Sequence, residues 1–315
     1  MKTGAFIIPT GVGASIGGFA GDASKYARRL SKKCKLIVNP NVVNAACFSG
    51  ITDNMLYVEG YTLDSFFKGK ISLKESCNNR IGIVFDKAIP ENILNIHINT
   101  INAVKTVYDI DIYGYKITQE NVGVNFYIDK SGVSTGSVEN LETIKSAAED
   151  LIKNGCNAIA IVCLFPEDDD INYSKGVGVD PVGGVEAIIS HYISKELKVP
   201  CAHAPAFLNV ETSSEVVDSR CSAEYITPTF LPCILIGLSN APLISNFGEG
   251  FCVEDLDFLV TPYNTLGGIP VLKMNEFGKK IYAIKENSTV LDITNENLSI
   301  KCDIINMYNN LAELI

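Results

Sequence analysis

The chain has 315 residues and a formal net charge of −10, and 47% of its residues are hydrophobic. A chain of this length can bury a large core in one or two domains. The acidic balance argues against nucleic acid or an anionic membrane as a partner, because both attract basic surfaces. No apolar run reaches the length of a membrane span and no export signal is recognised, so we expect a cytoplasmic protein without a membrane partner.

Ten cysteines are scattered along the chain, and no two of them form a C-x-x-C pair. This spacing disfavours a zinc ribbon or an iron–sulfur cluster. Cys34, Cys156, Cys163 and Cys233 lie in or beside apolar runs, so we expect them to be small buried hydrophobic residues, and we expect a reducing compartment.

A glycine-rich segment near the N-terminus is the first motif. A buried strand is predicted at residues 5–8, Pro9 ends it, and a helix is predicted to begin at Asp22. Such a density of glycine is typical where the backbone takes positive φ or where a ligand approaches it closely, although a merely tight loop is the alternative. Backbone N–H groups in a strand–loop–helix unit can bind an anion. The candidate ligand-binding residues are Thr10, Gly11, Gly13, Ser15, Gly17 and Gly18.

The same segment departs from the dinucleotide-binding fingerprint. Gly11-x-Gly13 is followed by Gly17 rather than by a glycine three residues on. The second predicted strand, Lys35–Val38, ends without an acidic residue that could bind a ribose. NAD(P) is therefore not expected as a cofactor.

Polar residues follow the next two predicted strands. Asn39, Asn41 and Asn44 come directly after the second strand, and Glu59 follows an alternating segment at residues 55–61. Asparagine forms turns readily, and that is the simpler interpretation. Since these residues follow strands of the same unit as the glycine-rich loop, they are also candidate ligand contacts.

The middle of the chain predicts a buried strand at Arg80–Asp86 and a helix from Pro90 to Tyr108. His97 shares a face of that helix with apolar residues, so we expect a packed histidine rather than a ligand. Alternation between Ile110 and Ile128 predicts a β-hairpin. We interpret it as an insertion that joins two lobes, with an N-terminal lobe at 1–110, a connecting segment at 111–138 and a C-terminal lobe at 139–315.

The second half repeats a strand–loop–helix pattern. Strands are predicted at residues 156–165, 199–203 and 257–260, and glycine-rich loops precede the helices between them. The chain thus predicts an α/β fold with a mostly parallel sheet and helices on both faces. Loops at the carboxyl ends of parallel strands share one edge, where ligands bind. Candidates on the later loops are Gly183, Gly184, Thr261, Asn264, Gly267 and Gly268.

Reactive residues are predicted at the same edge. Cys201 and His203 are two apart on a short strand, so their side chains share a face. A cysteine beside an imidazole can act as a nucleophile. The pair can also bind a metal, with Cys233 or His191 as a third ligand, or can simply be packed in the core. Asp180 and Glu186 flank the Gly183-Gly184 turn and are further catalytic candidates, although helix capping is the ordinary role of an acid there.

Several stretches resemble an uncharacterised family of bacterial, notably cyanobacterial, and plant proteins that is known as a domain of unknown function. They are P-T-G-V-G-A-S-I-G-G-F-A-G-D-A, N-P-N-V-V-N, Y-V-E-G-Y, G-V-D-P-V-G-G-V-E-A-I-I-S-H and P-C-A-H-A-P-A. The resemblance spans nearly the whole chain. It implies one full-length unit and brings no activity with it.

From the residues we expect an enzyme that acts on a small anionic metabolite, carrying a carboxylate or a phosphate, by hydrolase- or transferase-type chemistry with the Cys201–His203 pair. One alternative is a metal-dependent lyase or isomerase at the same site. Another is a binding protein without catalysis. A divalent metal cofactor and assembly into a homo-oligomer are left open.

Overall fold

A computed structural model describes residues 1–167 and 172–314. Sixteen strands are described, and in chain order they are β1 (Lys2–Phe6), β2 (Cys34–Val38), β3 (Asn44–Ala45), β4 (Phe48–Ser49), β5 (Met55–Tyr57), β6 (Ile71–Lys74), β7 (Ile81–Phe85), β8 (Ile112–Ile117), β9 (Val124–Ile128), β10 (Ser134–Val138), β11 (Ala158–Leu164), β12 (Cys201–Ala206), β13 (Leu243–Asn246), β14 (Phe258–Pro262), β15 (Lys280–Ile284) and β16 (Asp303–Ile305).

The described helices are α1 (Ser24–Leu30), α2 (Pro40–Val43), α3 (Gly60–Phe67), α4 (Glu91–Tyr108), α5 (Leu141–Lys153), α6 (Gly183–Leu197), α7 (Ser222–Tyr225), α8 (Leu231–Ser239), α9 (Ile269–Glu276), α10 (Asn295–Leu298) and α11 (Tyr308–Leu314). Short 3₁₀ turns occupy Tyr173–Lys175 and Val253–Asp255. The long predicted helix is confirmed at α4, and the apolar run of the second half forms β11. The first helix begins at Ser24, two residues later than predicted.

Two parallel sheets form the framework. The first has six strands in the order β16-β15-β14-β1-β2-β5, and the second has four in the order β12-β11-β7-β8. All neighbouring strands within each sheet are parallel. Their apolar runs are continuous because both faces of each sheet are covered. The predicted α/β class with mostly parallel strands is confirmed.

Alternation along the strands divides the core into three apolar layers. In β1, Phe6 packs in a layer shared by the two sheets, whereas Ala5 packs on the opposite face with α3 and α9. In β12, Ala202 belongs to the shared layer and Cys201 to a third layer beneath α5 and α6. Helices therefore cover both faces of each sheet, as the period-two pattern requires.

The middle of the chain differs in pairing from the predicted hairpin. β8 is a parallel neighbour of β7 in the four-stranded sheet, whereas β9 pairs with β10 as an antiparallel hairpin. Alternation predicts a strand with one exposed face but does not indicate which strand pairs with it. The prediction that β8 belongs to a hairpin is therefore wrong, and β8 pairs with β7 instead.

The six-stranded sheet takes β1, β2 and β5 from the first part of the chain and β14, β15 and β16 from the last part. The boundaries 1–110, 111–138 and 139–315 therefore do not coincide with the division of strands between the sheets.

Three further observations concern the buried His97, the state of the cysteines and the search for a membrane-spanning helix. His97 is buried, and its Nδ1 lies 2.9 Å from the carbonyl oxygen of Ile93, as expected for a packed histidine. All ten cysteines are free thiols. Within the described residues, none of the helices has the length and apolar character needed to cross a membrane.

Candidate functional site

A cavity of about 730 Å³ opens where the carboxyl ends of the two sheets meet. Its wall includes residues 9–14 and 17–20 after β1, Asn41 and Asn44 after β2, residues 180–183 with Tyr173 and Glu186 after β11, and His203 with the segment after β12. This size is typical of metabolite pockets. Its position agrees with the rule that ligands bind beyond the carboxyl ends of parallel strands.

The glycine-rich loop lines this cavity, and several of its backbone donors are engaged by side chains of the chain itself. The N–H of Gly17 donates to Asp22 Oδ1 at 2.6 Å, and the N–H of Ala20 donates to Glu224 Oε1 at 2.5 Å. The N–H of Ile16 donates to the side chain of Asn287 at 3.1 Å. Carboxylates and amides of the chain itself thus occupy donors on which the predicted anion site depends.

In the first turn of α6, backbone N–H groups likewise donate to side chains of the chain itself. Asp180 Oδ1 accepts hydrogen bonds from the N–H groups of Val182 at 3.1 Å and Gly183 at 3.3 Å. The N–H of Gly184 donates to Ser134 Oγ at 2.9 Å. Asp180 is the ordinary capping acid that the sequence suggested as an alternative, and it also lines the cavity.

Glu186 and His203 meet in the cavity wall. Glu186 lies in the first turn of α6, and His203 lies on β12, which packs against that helix. Glu186 Oε2 is 3.7 Å from His203 Nε2, and His203 Nδ1 is 2.9 Å from Ser190 Oγ. Ser190 is one helical turn beyond Glu186, so the two side chains contact opposite nitrogens of one imidazole ring.

Glu186 has an unusual environment for a carboxyl group. The residue is 8% exposed, and its Oε1 is buried without a hydrogen-bond partner among the described residues. Burial raises the Glu186 pKa well above its usual value, and repulsion from Asp180 and Glu224 raises it further. Burial, together with the nearby His191, lowers the His203 pKa to about 3. Both shifts favour the uncharged form of each group, and with both groups uncharged the 3.7 Å separation is a contact rather than an ion pair.

A second acidic group lies across the cavity. Glu224 Oε1 accepts a hydrogen bond of 3.1 Å from the Tyr173 hydroxyl. Burial and repulsion from Asp180 raise the Glu224 pKa to about 8. Burial also raises the pKa of Asp22 to about 7 and that of Asp180 above its usual value. Three carboxyl groups of the lining, those of Asp180, Glu186 and Glu224, thus have raised pKa values, and so does Asp22 at the end of the glycine-rich loop.

Cys201 is separated from this cavity. It shares a face of β12 with His203, as alternation predicts, but lies two residues nearer the amino end, roughly 6–7 Å along the strand. Its side chain packs in the apolar layer beneath α6 and is 1% exposed. Burial, with the nearby Glu59 and Cys163, raises its pKa well above the usual value of a thiol. Nothing in this environment favours a thiolate.

The predicted metal ligands do not form a cluster. Cys233 lines the cavity, but its thiol donates to the carbonyl oxygen of Phe230 at 3.2 Å, and burial raises its pKa to about 12. Across residues 1–167 and 172–314, no group of three or more histidine, cysteine or acidic residues has an arrangement that could hold a metal ion.

Several other candidates have structural hydrogen bonds. Asn39 binds both the N–H and the carbonyl oxygen of Ile8, at 3.1 and 2.7 Å. Glu59 caps α3 by accepting from the N–H groups of Tyr61 and Thr62, both at 2.9 Å. Ser15 donates to the backbone at Glu286, outside the cavity lining. Asn41 and Asn44 do line the cavity, as do Thr10, Gly11, Gly13, Gly17, Gly18 and Gly183.

The third Gly-Gly loop lies away from the cavity. Asn264 accepts from Thr289 and donates to backbone carbonyl groups at Thr289 and Leu291, and Thr261 pairs with Thr265. Neither these residues nor Gly267 and Gly268 line the cavity. His191 also lies outside the lining, in the contact between α6 and the start of α3 at Gly60. Two of the three predicted glycine loops thus meet at the site.

Sequence reasoning did not identify Asp22, Tyr173 and Glu224 as site residues. Glu224 lies in C-S-A-E-Y, a short segment without periodicity, and Tyr173 follows an acidic run. Their proximity to Asp180 depends on tertiary structure. The one available signal was an Asp at the end of the glycine-rich loop, which the sequence suggests only as a helix cap.

Comparisons with known proteins cover nearly the whole chain. A family model described as "Protein of unknown function (DUF3326)" matches residues 3–315. A protein of Synechococcus sp. that is named an uncharacterized lipoprotein is 36% identical over 307 residues, which cover 95% of this chain and 85% of that protein. No solved structure matches the chain. The resemblance to an uncharacterised full-length family is confirmed.

Proposed function

The chain belongs to the DUF3326 family of proteins of unknown function, and we propose that it is an enzyme that moves a proton within a small metabolite, as an isomerase or a lyase does. Glu186 is the proton donor and His203 the proton acceptor. The observation that carries this proposal is the buried Glu186 carboxyl, whose Oε1 has no hydrogen-bond partner among the described residues and whose Oε2 lies 3.7 Å from Nε2 of His203.

The hydrogen bonds of Ser190 favour one tautomer of His203. The Ser190 hydroxyl has one hydrogen, and backbone carbonyl oxygens of Glu186 and Ala187 lie 3.4 Å from Oγ. If the hydroxyl donates to one of them, it accepts the Nδ1–H of His203. Nε2 is then the unprotonated nitrogen, and it faces Glu186.

Proton transfer changes the charge of both groups in a favourable direction. Glu186 gives its proton to one atom of the substrate, and His203 Nε2 removes a proton from another atom. The products are a carboxylate and an imidazolium 3.7 Å apart, and opposite charges at that distance stabilise each other. Direct return of the proton from Nε2 to the carboxylate restores the starting state. The low pKa of His203 in the empty cavity therefore rises once Glu186 is ionised.

This proposal differs from the predicted thiol chemistry. Cys201 is protonated and lies outside the cavity lining, so it has no contact with a substrate in this arrangement. Hydrolase- or transferase-type chemistry at Cys201 remains the second candidate. It requires Cys201 to reach the cavity.

The experiment is conversion of a metabolite extract, followed by mass spectrometry of the small molecules. The proposal predicts at least one compound that wild-type protein converts. Glu186→Gln and His203→Ala should each abolish the conversion, and Cys201→Ser should retain it. Glu196→Gln is the matched control, because Glu196 lies on the same helix and pairs with Lys145 at the surface.

Two results would contradict the proposal. Loss of activity in Cys201→Ser with retention in Glu186→Gln would establish thiol chemistry instead. If wild-type protein binds a compound and converts none, the result indicates the binding protein without catalysis that the sequence left as an alternative.

We keep the cytoplasmic location as part of the proposal. Ten free thiols suit a reducing compartment. Since the Synechococcus relative is named a lipoprotein, membrane anchoring is the alternative. Fractionation of the producing cells decides between them, and protein that stays with the membranes after a high-salt wash would contradict a cytoplasmic location.

A further inference from the structure

We propose that the cavity binds its substrate through an organic cation, a protonated amine or guanidinium, held between Asp180 and Glu224 and contacting Oε1 of Glu186. This inference rests on the proposed function in assuming that the same cavity holds the substrate. It replaces the anionic metabolite expected from the glycine-rich loops.

The first support is the charge of the lining. Six acidic residues line the cavity, and the described lining residues include neither lysine nor arginine. The acidic residues are Glu167, Asp180, Glu186, Glu211, Glu215 and Glu224. Once Asp180 and Glu224 are ionised, a cation between them would be attracted, whereas an anionic ligand would be repelled.

The second support is a buried acceptor atom without a partner. Glu186 lines the cavity, and its Oε1 is buried without a hydrogen-bond partner among the described residues. A buried acceptor without a partner is rare in folded proteins and indicates a missing donor. In a protonated carboxyl group Oε1 is the acceptor, so a ligand N–H group can satisfy it while the proton on Oε2 stays available to the reaction.

The backbone donors give a third support. Asp22, Asp180 and Glu224 accept hydrogen bonds from the N–H groups of the glycine-rich loop and of the first turn of α6. These interactions hold the carboxyl groups in place before any ligand binds. The geometry that resembles an anion site in sequence thus positions acceptors for a cation.

Aromatic side chains complete the surroundings. Phe19, Tyr173, Phe207 and Phe230 line the same cavity. The faces of aromatic rings attract ammonium and guanidinium groups. Phe19 already contacts one such group, because the Arg220 guanidinium lies 5.1 Å from its ring centre.

The test uses three probes of equal chain length that differ in charge. They are 1,4-diaminobutane, butane-1,4-diol and succinate, and their binding is measured by isothermal titration calorimetry at pH 7.5 on the full chain. We expect one saturable site for the diamine and at least tenfold weaker binding of the diol and of succinate. Binding should release protons, which appears as a heat that changes with the ionisation enthalpy of the buffer.

Conservative variants keep the fold while removing charge. Asp180→Asn retains an acceptor for the N–H groups of α6, and Glu224→Gln retains one for Ala20 and Tyr173. Each should weaken diamine binding at least tenfold and reduce proton release. Glu196→Gln, on the outer part of α6, should bind as wild type does and thus controls for attraction to the net negative surface.

Three outcomes would overturn the inference. The first is that succinate or the diol binds as tightly as the diamine, and the second is that the diamine binds equally to all variants. The third is that no diamine binding is detected when the diamine is in 10-fold excess over millimolar protein. If Mg²⁺ alone binds the same residues and competes with the diamine, the site is one for metal ions instead.

Failure here is distinguishable from failure of the proposed function. Conversion of a neutral or anionic metabolite that depends on Glu186 would keep the function and overturn the cation site. Diamine binding that depends on Asp180, with no metabolite converted, would keep the cation site and count against catalysis.

Discussion

Replacement of Glu186 by methionine is expected to stabilise the protein while abolishing its activity. Methionine has a similar length and no group that needs a hydrogen bond. Leaving a buried polar atom unpaired costs about 1–3 kcal/mol, so its removal should raise the free energy of unfolding by that order. Because the unfolding entropy is about 2.1 cal/mol/K per residue, each kcal/mol corresponds to roughly 1.5 °C in Tm for a chain of 315 residues.

The gain should grow with pH. The Glu186 pKa is raised in the folded state, so its contribution to stability is fully present below the unfolded value of about 4.5 and is lost as pH rises towards the folded value. Each unit by which the folded pKa exceeds the unfolded one corresponds to about 1.4 kcal/mol at high pH. The Glu186→Met variant has no carboxyl group at this position, so its free energy of unfolding should exceed that of wild type by more at pH 8 than at pH 5.

The assay is thermal and urea unfolding of wild type and variant at pH 5.0, 6.5 and 8.0, with Glu196→Met as the control. The control removes a partly exposed pair with Lys145 and should change stability by at most about 1 kcal/mol. A Glu186→Met protein that is less stable than wild type at every pH would show that the carboxyl has a favourable partner, and the reasoning above would be refuted.

Three further predictions concern residues around the site. Iodoacetamide should modify exposed Cys77 quickly and Cys201 slowly, with peptide mass spectrometry as the measurement, because burial keeps the Cys201 thiol protonated; fast labelling of Cys201 would contradict this. Gly184→Ala should destabilise the protein severely, because a methyl group there would overlap the carbonyl oxygen of Ser134. Gly268→Ala is the control: the nearest atom to its methyl group would be 3.7 Å away, and its free energy of unfolding should be within about 0.5 kcal/mol of that of wild type. Glu59→Ala should cost about 0.5–2 kcal/mol in urea unfolding through loss of the α3 cap and leave the conversion of metabolites unchanged; an inactive but folded variant would return Glu59 to the site.

Much of the framework could be predicted from local sequence. The apolar run at residues 156–165 became β11 and the amphipathic pattern after Pro90 became α4, because long buried elements carry a strong periodic signal. The pairing of β8 could not be predicted, since an alternating strand does not encode its neighbour. The sheet that joins both ends of the chain depends on contacts of very high sequence separation.

In the candidate site, too, some features follow from local sequence and others depend on tertiary contacts. Residues after β1 and β12 do line one cavity, but these strands lie in different sheets, and the single shared edge expected from the sequence is replaced by two carboxyl edges that meet. Sequence patterns did not reveal that Asp22 and Glu224 would fill the backbone donors of the glycine-rich loop. The charge preference of a loop depends on which side chains reach its N–H groups, and that is a property of the tertiary structure.

The central claim is that Glu186 faces a neutral imidazole whose Nε2 is free to accept a proton, and ¹⁵N NMR of histidine-labelled protein tests it directly. The chain has three histidines, and His203→Asn assigns the relevant signal. The account predicts that His203 carries its proton on Nδ1 at pH 7 and gains no second proton down to about pH 4, in keeping with a pKa of about 3. A His203 signal that titrates near pH 6.5, or one that shows the proton on Nε2 at pH 7, would contradict it.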